Sequence, residues 1–192
     1  MREKLRFTML AGCAAPFVLC ALLACFSADA QPAATAELKA QGLGLMDQDH
    51  FHEAVAAFRE ALKSAPRDPA ILNDLGVALR KDGDLAGSLS VLKSALELQP
   101  GNAQILSNLG VTLGAMGRLY QAAAAMKKAV DLEPRDPVLR RNLGVLLADA
   151  GENERAEQEL RRALELGPSG AENHQAARAA TRQTETRGRS TA

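Results

Sequence analysis

Residues 69–102 read PAILNDLGVALRKDGDLAGSLSVLKSALELQPGN, and residues 103–136 read AQILSNLGVTLGAMGRLYQAAAAMKKAVDLEPRD. Laid one above the other, the two stretches agree at the positions that a packed pair of helices needs. Gly76 falls over Gly110, Ser88 over Ala122, Leu92 over Met126, Ala95 over Ala129 and Pro100 over Pro134. The register extends both ways. Residues 35–68 place Gly42, Ala54, Phe58, Ala61 and Pro66 at those positions, and residues 137–170 place Gly144, Ala156, Leu160, Ala163 and Pro168. The period is 34 residues, the step from Pro66 to Pro100. Self-similarity at that spacing marks an array of stacked units, each one supersecondary element that cannot bury its apolar face alone.

Within each block, apolar residues at positions 4, 7, 8 and 11 fall on one stripe of a first helix, and those at 17, 20, 24, 27 and 28 on one stripe of a second. Glycine or alanine where the stripes cross lets the two backbones approach, and a larger side chain there would force them apart. Gly83, Gly117 and Gly151 fall between the two helices of their blocks, where a left-handed backbone conformation ends the first helix. Asp68-Pro69 and Asp136-Pro137 put a capping carboxylate and a proline at the start of the next first helix. The pattern predicts an all-α solenoid of four helix-turn-helix units over 35–68, 69–102, 103–136 and 137–170.

These residues resemble the tetratricopeptide repeat. That motif has a large residue at position 4, Gly or Ala at 8, a large residue at 11, Ala at 20 and 27, an aromatic at 24 and Pro at 32. Position 4 here reads Leu38, Leu72, Leu106 and Arg140, and position 11 reads Leu45, Leu79, Leu113 and Leu147, aliphatics where the family carries Trp and Tyr. Arg140, and Asn153 at a usually apolar seventeenth position, depart furthest and predict that the fourth unit packs least tightly.

The resemblance implies a right-handed solenoid whose first helices line a concave groove, with positions 2, 5, 6, 9, 12 and 13 facing it. The candidates so placed are Asn73, Asp74, Val77 and Lys81 in the second block, Asn108 and Val111 in the third, and Arg141, Asn142 and Val145 in the fourth. Asn-Leu-Gly at 108–110 and again at 142–144 looks like repeats in which a ladder of asparagines holds an extended peptide. An amide suits that task because it donates and accepts at once. The plainer reading of each asparagine is a solvated residue on an exposed helix face. Leu43, Val77, Val111 and Val145 form an aliphatic row that either anchors apolar side chains of a partner or is ordinary packing between helices. Arg80, Lys81 and Arg141 are isolated cations that carry little weight here. The family's carboxylate clamp needs a set of Lys, Asn and Arg that no three consecutive blocks supply, which disfavours a receptor for chaperone tails.

Composition narrows the function further. Lys plus Arg and Asp plus Glu both count 23, so no global field recruits nucleic acid or an anionic membrane. Cys13, Cys20 and Cys25 all lie near the N-terminus, leaving the rest without a disulfide framework, a thiolate nucleophile or a cysteine metal cluster. The histidines are His50, His52 and His174, and the H-x-H pair lacks a third ligand nearby. Phosphate-loop, dinucleotide and nucleophile-elbow motifs are missing from the sequence. The expectation is a non-enzyme with no cofactor and no metal, whose partner is a protein or extended peptide. The second expectation is a self-associating assembly subunit.

Met1 to Arg6 carries Arg2, Lys4 and Arg6, and an uncharged apolar run follows from Phe7 to Phe26. This pattern predicts export from a bacterial cytoplasm to the periplasm or envelope. Ala28-Asp29-Ala30 fits signal-peptidase cleavage over 1–30 with a mature start at Gln31. Leu22-Leu23-Ala24-Cys25 resembles the lipoprotein box, in which a signal over 1–24 is removed and Cys25 is acylated. An uncleaved anchor is the third reading. At the other end, 171–181 can form a short capping helix, and 182–192 has the composition of a disordered tail.

Overall fold

The computed structural model describes residues 33–167. Among them are eight helices and no strands: α1 (33–47), α2 (Phe51–Ser64), α3 (Pro69–Asp82), α4 (Leu85–Leu98), α5 (Ala103–Ala115), α6 (Leu119–Leu132), α7 (Pro137–Asp149) and α8 (Asn153–Leu166). From α2 to α8 each helix packs on its neighbours in the chain, and α1 lies against α2 where Gly42 meets Phe58. The expectations placed on residues 1–32 and 168–192, Cys25 and the capping helix included, lie outside the described residues.

The helix starts follow from the residues before them. Asp68 Oδ1 accepts from the N–H groups of Ala70 (2.8 Å) and Ile71 (3.2 Å), and Asp136 Oδ1 accepts from Val138 and Leu139 in the same way. Asn102 caps α5 through Ile105. These bonds satisfy amide groups that the first turn of a helix leaves orphaned. The turns inside the units close with Gly83, Gly117 and Gly151 at φ of 95°, 74° and 81°, the left-handed region their spacing predicts.

The crossing of the two stripes in each unit is tight. A Cβ built on Gly42 would lie 2.6 Å from Phe58, one on Gly76 2.6 Å from Leu92 and one on Gly144 2.6 Å from Leu160. The eighth residue is therefore small because the twenty-fourth lies directly against it. Phe58, Leu92, Met126 and Leu160 are all but fully buried. The buried apolar residues fall into one group on α2 and α3 and a second running from α4 to α8. Ser88 and Thr112, both fully buried, link helices on either side of that division. Ser88 Oγ donates to Gly76 O at 2.7 Å, Thr112 Oγ1 donates to Asn108 O at 2.9 Å, and the two hydroxyls lie 3.1 Å apart.

The fourth unit differs from its expectation. α7 and α8 pack as closely as the other pairs, because Arg140 is absorbed by ion pairing where the other units carry leucine. Its Nη1 lies 2.7 Å from Glu159 Oε2 and its Nε donates to Pro134 O at 2.9 Å. Both side chains of the pair are largely buried, at 14% and 15% exposure. Asn153 does depart as read, since its Oδ1 is buried without a hydrogen-bond partner.

The stack bends. α3 touches α5 and α5 touches α7, whereas α2, α4, α6 and α8 make no such contacts with one another. First helices in contact along one side and second helices splayed along the other put the first helices on the inner curve.

Candidate functional site: the inner helical face

On α3, Ala70, Asp74, Val77 and Lys81 form one stripe that is exposed or half-buried, between the buried residues that pack on α2 and α4. Steps of four, three and four residues keep them on one line of the helix. Gln104, Asn108, Val111 and Ala115 continue this face on α5, and Val138, Asn142, Val145 and Asp149 on α7. The candidate residues thus share one surface, with two qualifications.

First, the polar ones are partly committed to each other. Asn108 Nδ2 donates to Asn73 Oδ1 at 2.8 Å, and Lys39 Nζ lies 3.5 Å from Asp74 Oδ2. Both pairs join position 5 of one unit to position 6 of the next, so they tie adjacent inner helices side by side. Asn73 is only 6% exposed and works mainly as such a tie. Asn108 uses one of its two amide hydrogens there, and its Oδ1 remains for a ligand. Arg141 Nη2 lies 3.5 Å from Asn142 Oδ1. The sequence signal for the ties was available as complementary polar residues 35 positions apart, Lys39 with Asp74 and Asn73 with Asn108.

Second, the aliphatic row is uneven. Leu43 and Val145 are 44% and 41% exposed, while Val77 is half-buried and Val111 packs against the apolar core. The row is therefore packing in its middle and open surface at its ends.

Burial pushes the Asp74 carboxyl above its ordinary value, an effect that Lys39 and the Asn73 amide offset only in part. A recess of ≈ 190 Å³ opens beside it, lined by Lys39, Asn73, Asp74, Gln99, Asn102 and Gln104 among others. Lys81 Nζ sits 5.8 Å from the centre of the Phe51 ring, within cation–π reach. His52 Nδ1 lies 3.3 Å from Asp82 Oδ2, and no group of three metal-ligating side chains occurs among the described residues. The face can offer amide hydrogen bonds, scattered charge and limited apolar contact.

Paired helices, stacked at a fixed period around an open inner face, define the class of helical-repeat solenoids. A tetratricopeptide repeat model matches residues 39–103 and 108–171, more than half of the 192 residues, and the chain belongs to the tetratricopeptide repeat family. Its fold is the right-handed solenoid of four units that the resemblance implied. Solved structures agree with it. MamA 41-end from Desulfovibrio magneticus RS-1 shares 19% identity over 79% of this chain and 86% of its own, at a TM-score of 0.70. PilF of Pseudomonas aeruginosa shares 19% identity over 82% of this chain and 72% of its own, at a TM-score of 0.73. A chain of the APC/C hetero-tetramer Cut9–Hcn1 shares 18% identity over 77% of this chain and 30% of its own, at 0.70. No curated protein matches in sequence.

Proposed function

We propose that this chain is a non-catalytic binding module of the bacterial cell envelope that holds an extended segment of another protein across its inner face. The observation that carries this reading is the continuous open face on α3, α5 and α7, where Asp74, Asn108 and Asn142 recur at one position of successive units. An isolated amide bond contributes only about 0.5–1.5 kcal/mol net, so the apolar ends of the row, Leu43 and Val145, add the remainder. Asn73, Asp74, Val77, Lys81, Asn108, Val111, Arg141, Asn142 and Val145 are the residues proposed to line the site.

Export is supported by the charged and apolar pattern of the first thirty residues. Among the described residues no helix is long and apolar enough to cross a membrane. Intact mass of the protein from envelope fractions tests the location. A start at Gln31 means a soluble form, and a start at Cys25 with added acyl mass means a tethered one. Photocrosslinkers at Asn108 and Asn142 test the site. Crosslinks to a partner that vanish in Asn108→Ala with Asn142→Ala support the module, and labelling indifferent to those changes refutes it.

A second reading, self-association as an assembly subunit, is favoured by the apolar exposure of the fourth unit, with Val138 52%, Val145 41% and Leu166 39% exposed. It calls for mass in solution that rises with concentration and returns to the monomer in Val138→Glu. Arg140 is unsuited to probe it, because its guanidinium is engaged inside the unit.

A further inference from the structure

Among the described residues, Arg140 and Arg80 are cations drawn into the packing of first helices, and they differ in how they are satisfied. Arg140 pairs with Glu159 and donates to Pro134. Arg80, at the C-terminal end of α3, has its Nε buried without a hydrogen-bond partner. Among the described residues its guanidinium makes no ion pair either, although burial disfavours the charged form and lowers its pKa. A guanidinium does not give up its proton under ordinary conditions, so the charge stays.

The carboxylates of the same region are already engaged. Asp82 faces His52, Asp84 caps α4 through the N–H of Gly87, and Asp74 is paired with Lys39. The carbonyl end of α3 offsets part of the cationic charge but gives Nε no acceptor. Arg80 also follows Asn73 by seven residues, nearly two turns, so it lies on the flank of α3 that Asn73 turns toward α5. Lys81 stands next to it on the open stripe.

We propose that Arg80 anchors a carboxylate of the polypeptide that lies on the inner face, with Lys81 as its flanking cation. The proposal rests on the binding-module reading above and adds the chemistry of the partner: a segment bearing an Asp or Glu side chain, or ending in its own C-terminal carboxylate, at this point of the groove. A rotation of the side chain that brings Nε to the inner face lets a bidentate carboxylate give that N–H the acceptor it lacks. It also sits about 10 Å along α3 from the Asn73–Asn108 tie, roughly three residues of an extended chain away from it. This is a different arrangement from the family's clamp, whose residues are missing here.

The test uses the full chain and three pools of short random-sequence peptides, acetylated at the N-terminus. The first is amidated with Asp or Glu fixed at its centre, the second is amidated with Asn or Gln there, and the third matches the second but has a free C-terminal carboxylate. Retention of the first or third pool about tenfold above the second is expected, the step that one charge-assisted hydrogen bond supplies, and which of the two is retained identifies the source of the carboxylate. Arg80→Met should bring the ratio to near one, while Asn108→Ala weakens all pools alike.

Equal retention of the three pools with sensitivity to Asn108→Ala overturns the carboxylate anchor and leaves the binding module standing. An acidic preference that survives Arg80→Met overturns it as well. Failure of wild type to retain any pool overturns the module and the anchor together. A second readout is thermal: without a partner to lose, Arg80→Met should melt at or above the wild-type temperature. A fall of several degrees would show a structural role and overturn the proposal.

Discussion

Asp49 holds the turn position that Gly83, Gly117 and Gly151 fill in the later units, and does so at φ 59°, where a Cβ crowds the following carbonyl. Asp49→Gly is therefore expected to stabilise the fold by about 1 kcal/mol, read as a rise in melting temperature. A fall would mean that the aspartate makes a compensating local bond.

Asp74 gives a pH dependence. Its carboxyl binds a proton more tightly in the folded chain than in the unfolded one, so its contribution to stability is fully present below the ordinary carboxylate range and is lost as pH rises through the raised folded value. Asp74→Asn is expected to melt higher than wild type at neutral pH, with the advantage shrinking below about pH 4. A gap that grows on acidification would reverse the assignment of burial as the dominant influence. At this scale the sequence was legible where one residue has one task, as at Gly83 or Asp68. It was not legible at Asn73, because an amide looks the same whether it faces a ligand or a neighbouring helix. Ser88 stands in a column of alanines, and its buried hydroxyl bond to Gly76 O is a tie that the column alone did not announce.

The helix pair is the scale at which the fold was most legible, since the position-8 glycine and the large residue at position 24 predict each other. Gly76→Ala drives a methyl against Leu92 and is expected to cost about 1–3 kcal/mol. The same change at Gly44, which has nothing within 4 Å of its added Cβ, is expected to be neutral or mildly stabilising. Equal effects at the two sites would contradict the crossing geometry. Arg140 shows where the pattern misleads. Binary patterning marks a charge on an apolar stripe as a defect, and only the spatial approach of Glu159, nineteen residues on, converts it into a tie. Arg140→Ala leaves Glu159 with Arg162 alone and is expected to cost about 2 kcal/mol, reduced from the fully buried case by residual solvent. Arg140→Leu combined with Glu159→Gln is expected to recover most of that loss.

At the scale of the whole array, each unit of the described residues contacts only its neighbours, so stability is a sum of unit and interface contributions. Units with two neighbours are held at both interfaces. Amide hydrogen exchange is therefore expected to be slowest in α3, α4, α5 and α6 and faster in α1, α2, α7 and α8. Uniform protection would indicate a single cooperative block. The period fixes the order of helices but carries little about curvature, which depends on which side of each helix touches the next. That choice is made by small residues such as Gly114, whose added Cβ would meet Leu146 of α7 at 2.7 Å.

The bend has a mechanical side. With its inner helices already touching and its outer helices apart, the stack resembles a leaf spring that is stiff in one direction and compliant in the other. Tightening the arc compresses packed side chains, whereas flattening it draws the inner helices apart and strains the inner-rim links Lys39–Asp74 and Asn73–Asn108 together with the packing of α5 on α7. A bulky guest would be admitted by straightening the molecule, and the recoil of those links would return it to rest once the guest departs.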